Sequence, residues 1–250
     1  MRIKLVISYE GTGFSGWQRQ VGKPTVQAAL EDAFFKISGV RVNLTGSGRT
    51  DEGVHAIAQV AHFDVVYQEG KAIAPQKLPS AFNYYLPNTV RVLSAEQVDE
   101  NFHACTKAKH KTYIYDMYLG AQNPLLEKRA LWLDKPIDFN LMENAALLFM
   151  GTHDFIAFRA KGSSAKTTVR TVLDCSFTKV ELYGSSGYRF SITANGFLYK
   201  MVRMIVGATL KVGSGKWTFA DINNMLNTTE EFDKKTPAPS HGLYLKKVEY

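Results

Sequence analysis

The amino-acid sequence predicts an α+β protein: two split β-α-β-like halves that share a central antiparallel sheet, with helices packed on it. Three observations lead there. Period-two strands and 3.6-period apolar stripes occur in both halves of the 250-residue chain. Tight-turn signals separate them, which suits antiparallel pairing. The segment Asn101–Lys111 turns polar and basic, which puts a boundary near 105 and divides the chain into 1–105 and 106–250. Halves of about 125 residues can each bury a core.

In chain order, Ile3, Leu5, Ile7 and Tyr9 alternate with Arg2, Lys4 and Ser8. This is a strand with one wet face, interrupted at Val6. A glycine-rich turn follows over 11–18. Thr25 caps a helix whose stripe is Val26, Ala29, Leu30, Ala33, Phe34 and Ile37, and Gly39 closes it. Strands are expected over 41–47 and 54–66, a short helix over 75–86 ended by Pro87, and a strand over 88–94. The second half repeats this grammar without a residue-level repeat. It starts with a strand over 111–118. Asp138 then caps a helix carrying Leu141, Met142, Ala145, Leu148 and Phe149, stopped at Gly151. A hairpin over 169–182 and 187–195 turns at 183–187. Helices over 199–212 and 218–227 and a strand near 242–249 end the chain.

Composition removes several classes. Hydrophobic residues at 45% and charged residues at 21% exclude collagen-like, coiled-coil and wholly disordered chains. No apolar run approaches the ~20 residues of a membrane span, and the first strand is too short and alternating for a signal peptide. Cys105 and Cys175 form neither a disulfide framework nor a zinc constellation, so a reducing cytoplasm is the expected compartment. A net charge of +7 admits a nucleic-acid partner without requiring one.

The sharpest chemical feature is Gly46-Ser47-Gly48-Arg49-Thr50-Asp51-Glu52-Gly53-Val54-His55. Asp51 lies on a glycine-flanked turn with Arg49 two residues before it. A carboxylate kept ionised beside a cation can act as nucleophile or base; the bland alternative is an Asx-turn with a surface Arg. The P-loop pattern is absent. Asp51, Glu52 and His55 lack the further ligands that a metal would need, so no metal is expected. Lys107, Lys109, His110 and Lys111 run into Tyr113, Tyr115 and Tyr118, cations interleaved with aromatics as phosphate contact plus base stacking requires. Ordinary strand propensity explains the same tyrosines. Arg203 sits inside an apolar helix, either snorkelling or paired with a carboxylate such as Asp51. The run Arg159–Lys166 is a basic loop.

Taken in order, six segments resemble the family of tRNA pseudouridine synthases that modify the anticodon arm. They are Tyr9–Gln20, Gly48–Ala56, Lys111–Tyr115, Gly151–Phe155 with Phe158, Phe197–Gly207 and Gly242–Leu245, and they span almost the whole chain. The resemblance implies the pseudouridine synthase fold and isomerisation of uridine at positions 38, 39 and 40 of tRNA. It also implies a homodimer bound to tRNA, with no cofactor, metal or membrane. Asp51 is then the nucleophile, and Arg203 its ion-pair partner. Tyr113 stacks on the uracil, Arg49 holds the flipped nucleotide, and Leu243 and Leu245 line the pocket. Apart from the resemblance, Arg19, Lys107, Lys109, Lys111, Arg159, Lys161 and Lys166 are expected to contact RNA from their placement in glycine-rich or polar segments beside the motifs. One departure is Glu52, where the family usually has Ala; it adds a negative charge that Arg49 must offset. A non-catalytic RNA-binding module of the same fold is the alternative, and it would have no need of the Asp51, Tyr113 and Arg203 trio.

Overall fold

The computed structural model describes residues 1–67, 72–162, 165–228, 230 and 237–250. The chain forms two compact units, residues 1–109 with 244–250, and residues 110–243. Strands and helices alternate in both, an α+β architecture.

In the first unit β1 (Arg2–Tyr9) buries Ile3, Leu5, Ile7 and Tyr9 and leaves the alternate residues half-buried. On α1 (Val26–Ser38), the Thr25 hydroxyl accepts the Ala28 N–H at 3.3 Å, and Gly39 ends the helix at φ 71°. Val26, Leu30, Ala33 and Phe34 are buried on α1, and so are Gln27 and Glu31. Those two polar groups explain why the strand expected over 41–47 contracts to β2 (Thr45–Gly46). The Leu44 N–H donates to the Glu31 carboxylate at 2.9 Å, and the Gln27 amide donates to the Leu44 carbonyl at 3.1 Å. Helix side chains take the backbone groups that a strand partner would otherwise take. Next come β3 (His55–Asp64), a 3₁₀ turn at Pro75–Lys77, α2 (Leu78–Tyr85) and β4 (Val90–Val98). Phe34 packs on Phe63 and Phe82, with ring centroids 4.8 and 5.7 Å apart.

The second unit contains β5 (His110–Tyr118), β6 (Leu131–Trp132), α3 (Phe139–Leu147) and β7 (Gly151–Asp154). It continues with β8 (Val169–Leu182), β9 (Ser185–Ala194), α4 (Met201–Gly213) and α5 (Phe219–Leu226). Tyr183 and Gly184 both take positive φ between β8 and β9, as a tight hairpin turn requires. The sheet runs β5-β9-β8-β7, with antiparallel long pairings and a two-residue parallel pairing of β6 to β5. Helix α4 is buried on nearly all sides, with Arg203 half-buried near its start.

The last strand, β10 (Leu243–Glu249), completes the first unit's sheet in the order β4-β1-β3-β10. It runs parallel to β3, pairing Tyr244 with His55 and Leu245 with Ala56. Among the described residues no helix is long and apolar enough to cross a membrane.

The α1 cap gives a direct test. Thr25→Ala removes the acceptor for the Ala28 N–H and should lower stability by about 1 kcal/mol, read as a lower urea midpoint at unchanged slope. Thr25→Ser keeps the oxygen and should recover most of the loss.

Candidate active site

The Asp51 turn is built from both ends. On its N-terminal side Ser47 is fully buried; its hydroxyl donates to the Gln59 amide oxygen at 2.6 Å, and the Gln59 amide donates back to the Gly48 carbonyl at 3.0 Å. Tyr9 Oη and Thr50 Oγ1 lie 2.8 Å apart in the core. The Val54 N–H closes the turn on the Asp51 carbonyl at 3.1 Å. Asp51 is half-buried, whereas Arg49 and Glu52 are exposed. The extra carboxylate of Glu52 therefore stands in solvent, where its charge is screened.

The glycine-rich turn after β1 wraps this loop. Gly16, at φ 86°, lies so close that an added Cβ would sit 2.5 Å from the Thr50 carbonyl oxygen, and one on Gly11 would meet Val54 O. Only glycine permits both the backbone conformation and the approach at Gly16. The Gly11 N–H donates to His55 Nδ1 at 2.9 Å, and the His55 ring stacks on Tyr244 at 4.6 Å. His55 is thus a buried brace for the turn. Among the described residues no group of three His, Cys, Asp or Glu could hold a metal.

The second unit supplies the other motif residues. Tyr113 is 8% exposed on β5, with its ring edge-on to Phe197 at 5.1 Å. Tyr115, two residues on along the same face, is fully buried, and its hydroxyl donates to the Pro239 carbonyl at 3.0 Å. Arg203 Nε donates to the Ala238 carbonyl at 2.7 Å, and the Ala238 N–H donates to the Arg203 carbonyl at 2.9 Å. Nε of the half-buried Arg203 is thus tied to the peptide at Ala238 near the start of α4. Leu243 and Leu245 are both buried at the start of β10.

Of the cations expected to meet RNA, Lys107, Lys109, Lys161 and Lys166 are exposed, and Lys111 and Arg159 are half-buried. Ser163 and Ser164 of the basic loop lie outside the described residues. Arg19 is bonded to Glu31 at 2.6 Å and to Asp32 at 3.2 Å, so two carboxylates compete for its charge. Of the supports Tyr9, Gln59, His55 and Ala238, only Gln59 and His55 carry a local sequence signal, as polar residues at buried positions of β3.

A family model described as tRNA pseudouridine synthase matches residues 5–106 and 145–250. The chain is 41% identical over 250 residues to the tRNA pseudouridine synthase A of Acetivibrio thermocellus, covering 99% of each chain. It is 41% identical over 249 residues to the tRNA pseudouridine synthase A of Clostridium botulinum, again covering 99% of each. With the protein of that name from Methylacidiphilum infernorum the identity is 42% over 249 residues, covering 99% of this chain and 94% of that protein.

Tyr9 gives the turn a pH signature. Burial pushes its phenol up to about 12, against hydrogen bonds from Thr50 and Gln59 that favour the phenolate. Because the folded value lies above the unfolded one, this stabilisation is complete below pH ~10 and is lost as pH rises towards ~12. A shift of two units corresponds to roughly 2–3 kcal/mol. Wild-type stability should fall across that window in pH-jump urea titrations, and Tyr9→Phe should flatten the fall. Identical alkaline profiles would show that the Tyr9 phenol ionises freely.

Proposed function

The chain belongs to the tRNA pseudouridine synthase family, and on that premise we propose that Asp51 is the nucleophile that isomerises uridine in the anticodon stem-loop of tRNA. The enzyme is an isomerase. The observation that carries the assignment to Asp51 is the turn itself, a half-buried carboxylate whose backbone is fixed on both sides by buried partners. A reacting group must be held within a fraction of an ångström to gain its advantage from proximity.

The reaction breaks the C1′–N1 bond, rotates the freed uracil and joins C5 to C1′; the proton on C5 then leaves and N1 gains one. Atoms and electrons balance without a redox partner or a consumed cofactor. The target nucleotide must leave its stack to be reached. Arg49 contacts the phosphate backbone and holds the nucleotide out. Tyr113 stacks on the uracil through the rotation, and Arg203 pairs with Asp51 and keeps it ionised. Leu243 and Leu245 keep the site apolar, since water reaching the detached base would turn isomerisation into hydrolysis. The enzyme acts as a cytoplasmic homodimer on uridines 38, 39 and 40. The family resemblance supports these roles and this assembly, and the small content of cysteine supports the compartment.

Asp51→Asn keeps the shape of the side chain and removes its charge. Conversion of uridine should fall by several orders of magnitude, while tRNA binding stays equal or tightens because a charge repelling phosphate has gone. Base-resolved pseudouridine detection and filter binding on the same tRNA read the two quantities. Near wild-type conversion would overturn the assignment of Asp51.

Phosphate contacts from Arg49, Lys107, Lys109, Lys111, Arg159, Lys161 and Lys166, with Arg19 weakened by its carboxylates, should make binding strongly salt-dependent. If about five or six of them neutralise phosphates, log affinity should fall against log salt with a slope of about −4 to −5. A flat plot would show that these cations do not hold the RNA.

A further inference from the structure

Gln27 and Glu31 stand one turn apart on α1 and are almost fully buried, at 3% and 6% exposure. Together they tie two segments that are distant in sequence. The first is the turn 16–19. The Gln27 amide oxygen accepts the Arg19 N–H at 2.9 Å and the Gln18 amide at 2.9 Å. The Glu31 carboxylate accepts from Arg19 Nε at 2.6 Å. The helix backbone adds two bonds, from the Val26 N–H to the Gly16 carbonyl at 3.2 Å and from the Gln27 N–H to the Trp17 carbonyl at 3.0 Å. The second segment begins at Leu44 and leads through β2 into the Asp51 turn. Its Leu44 carbonyl accepts from the Gln27 amide, and its Leu44 N–H donates to Glu31. The Gln27 amide also donates to Glu31 at 2.8 Å, which joins the two sets of bonds.

Both segments bear on the residues that flank Asp51. The Trp17 N–H donates at 3.1 Å to the carbonyl of Thr50, the residue immediately before Asp51. The buried Trp17 ring lies on Gly46, where an added Cβ would sit 2.6 Å from the indole nitrogen. Gly46 is followed by Ser47, whose hydroxyl is bonded to Gln59. The approach to Asp51 is therefore held between two segments whose spacing one amide and one carboxylate set. An amide presents two donors and an acceptor in one plane, so a shift of either segment breaks several bonds at once. Apolar side chains of like volume would serve stability as well at these two positions, but they would not fix that spacing.

We propose that Gln27 and Glu31 are positioning residues for Asp51: from α1 they set the spacing between the 16–19 turn and the 44–46 segment, and so the place of the carboxylate at the reacting uridine. The proposal rests on the assignment of Asp51 above. Both residues act through the main chain and touch no substrate. Arg19, held by Glu31 and by the Gln27 amide, belongs to the same frame.

The test separates positioning from stability by comparing Gln27→Ala and Glu31→Gln with Asn83→Ala, all in the full chain. Asn83 of α2 makes the same kind of tie, its amide bonded to the Val92 carbonyl at 2.9 Å and to the Val92 N–H at 2.8 Å, but it holds β4 instead of the Asp51 turn. Single-turnover conversion at saturating tRNA, filter binding and hydrogen exchange of the Trp17 amide are read on protein whose circular dichroism matches wild type. Gln27→Ala should convert uridine about a hundredfold more slowly, the loss expected when a reacting group is displaced by about an ångström, while tRNA affinity stays within about twofold. Glu31→Gln keeps an oxygen for the Leu44 N–H and loses the acceptor for Arg19, so its rate should fall less, by about tenfold. Should Gln27→Ala not fold, Glu31→Gln carries the test alone. The Trp17 amide should exchange faster in both variants. Asn83→Ala should lose thermal stability and keep its rate and its Trp17 exchange. Wild-type rates in the folded Gln27 and Glu31 variants, or an equal loss of rate in Asn83→Ala, would overturn the proposal. Absence of pseudouridine with wild-type protein, or full conversion by Asp51→Asn, would instead sink the functional reading, and exchange at Trp17 would still judge the frame.

Discussion

The candidate nucleophile depends on how closely the glycine-rich turn after β1 approaches the main chain at Thr50–Val54. With the Gly16 Cα against the Thr50 carbonyl, the two loops share one layer of backbone with no side chain between them. The Trp17 N–H donates to the Thr50 carbonyl at 3.1 Å, and the Gly11 N–H is taken by His55. Backbone polar groups brought this close and away from water must be paired, or each costs roughly 1–3 kcal/mol. Tyr9, Ser47, Gln59 and His55 supply the remaining partners. Fixing Asp51 is thus a by-product of satisfying the buried polar groups around it.

A second satisfied network holds Arg203. A guanidinium on an apolar helix is costly to bury unless its donors find acceptors. Here the peptide 238–239 provides carbonyls to Arg203 and to Tyr115, and the reciprocal bond from the Ala238 N–H locks that peptide to the start of α4. Burial raises the Tyr115 phenol above its ordinary range, so it donates as a neutral hydroxyl. Elsewhere in the same unit, Asp116 and Arg189 form a cross-strand bidentate pair at 2.7 and 2.8 Å between β5 and β9. That pair pins the register that sets which face of β5 carries Tyr113 and Tyr115.

The pattern of charge follows the same logic. Some structural cations have carboxylate partners, as Arg2 does with Asp64 and Arg19 does with Glu31 and Asp32. Lys107 and Lys109 instead stand exposed in the polar stretch that the sequence marks. Proximity to a carboxylate, more than the count of basic residues, separates a structural cation from one available to a polyanion.

Most elements were legible from local pattern because their causes are local. Alternation marked β1, the turn at 183–187 marked the β8–β9 hairpin, Thr25 and Asp138 announced their helices, and the apolar run within 199–212 announced a buried helix. The turn around Asp51 was legible because its glycines and its carboxylate fall together within ten residues. Other features have causes far away in sequence. The stretch 41–47 carries strand-like residues, but Gln27 and Glu31 claim its backbone, so only Thr45 and Gly46 pair. The parallel pairing of β10 with β3 joins residues about 190 positions apart and leaves no trace in either segment. Arg203 could be named as a cation within an apolar helix, but not its acceptor at Ala238, since a carbonyl has no sequence signature. By itself the sequence determined which segments are strands and helices and which residues carry reactive groups, because propensity, capping and periodicity act over a few residues. The tertiary structure alone decided which buried polar groups satisfy one another, because hydrogen bonding in a core pairs whatever the fold brings within 3 Å, wherever it lies in the chain.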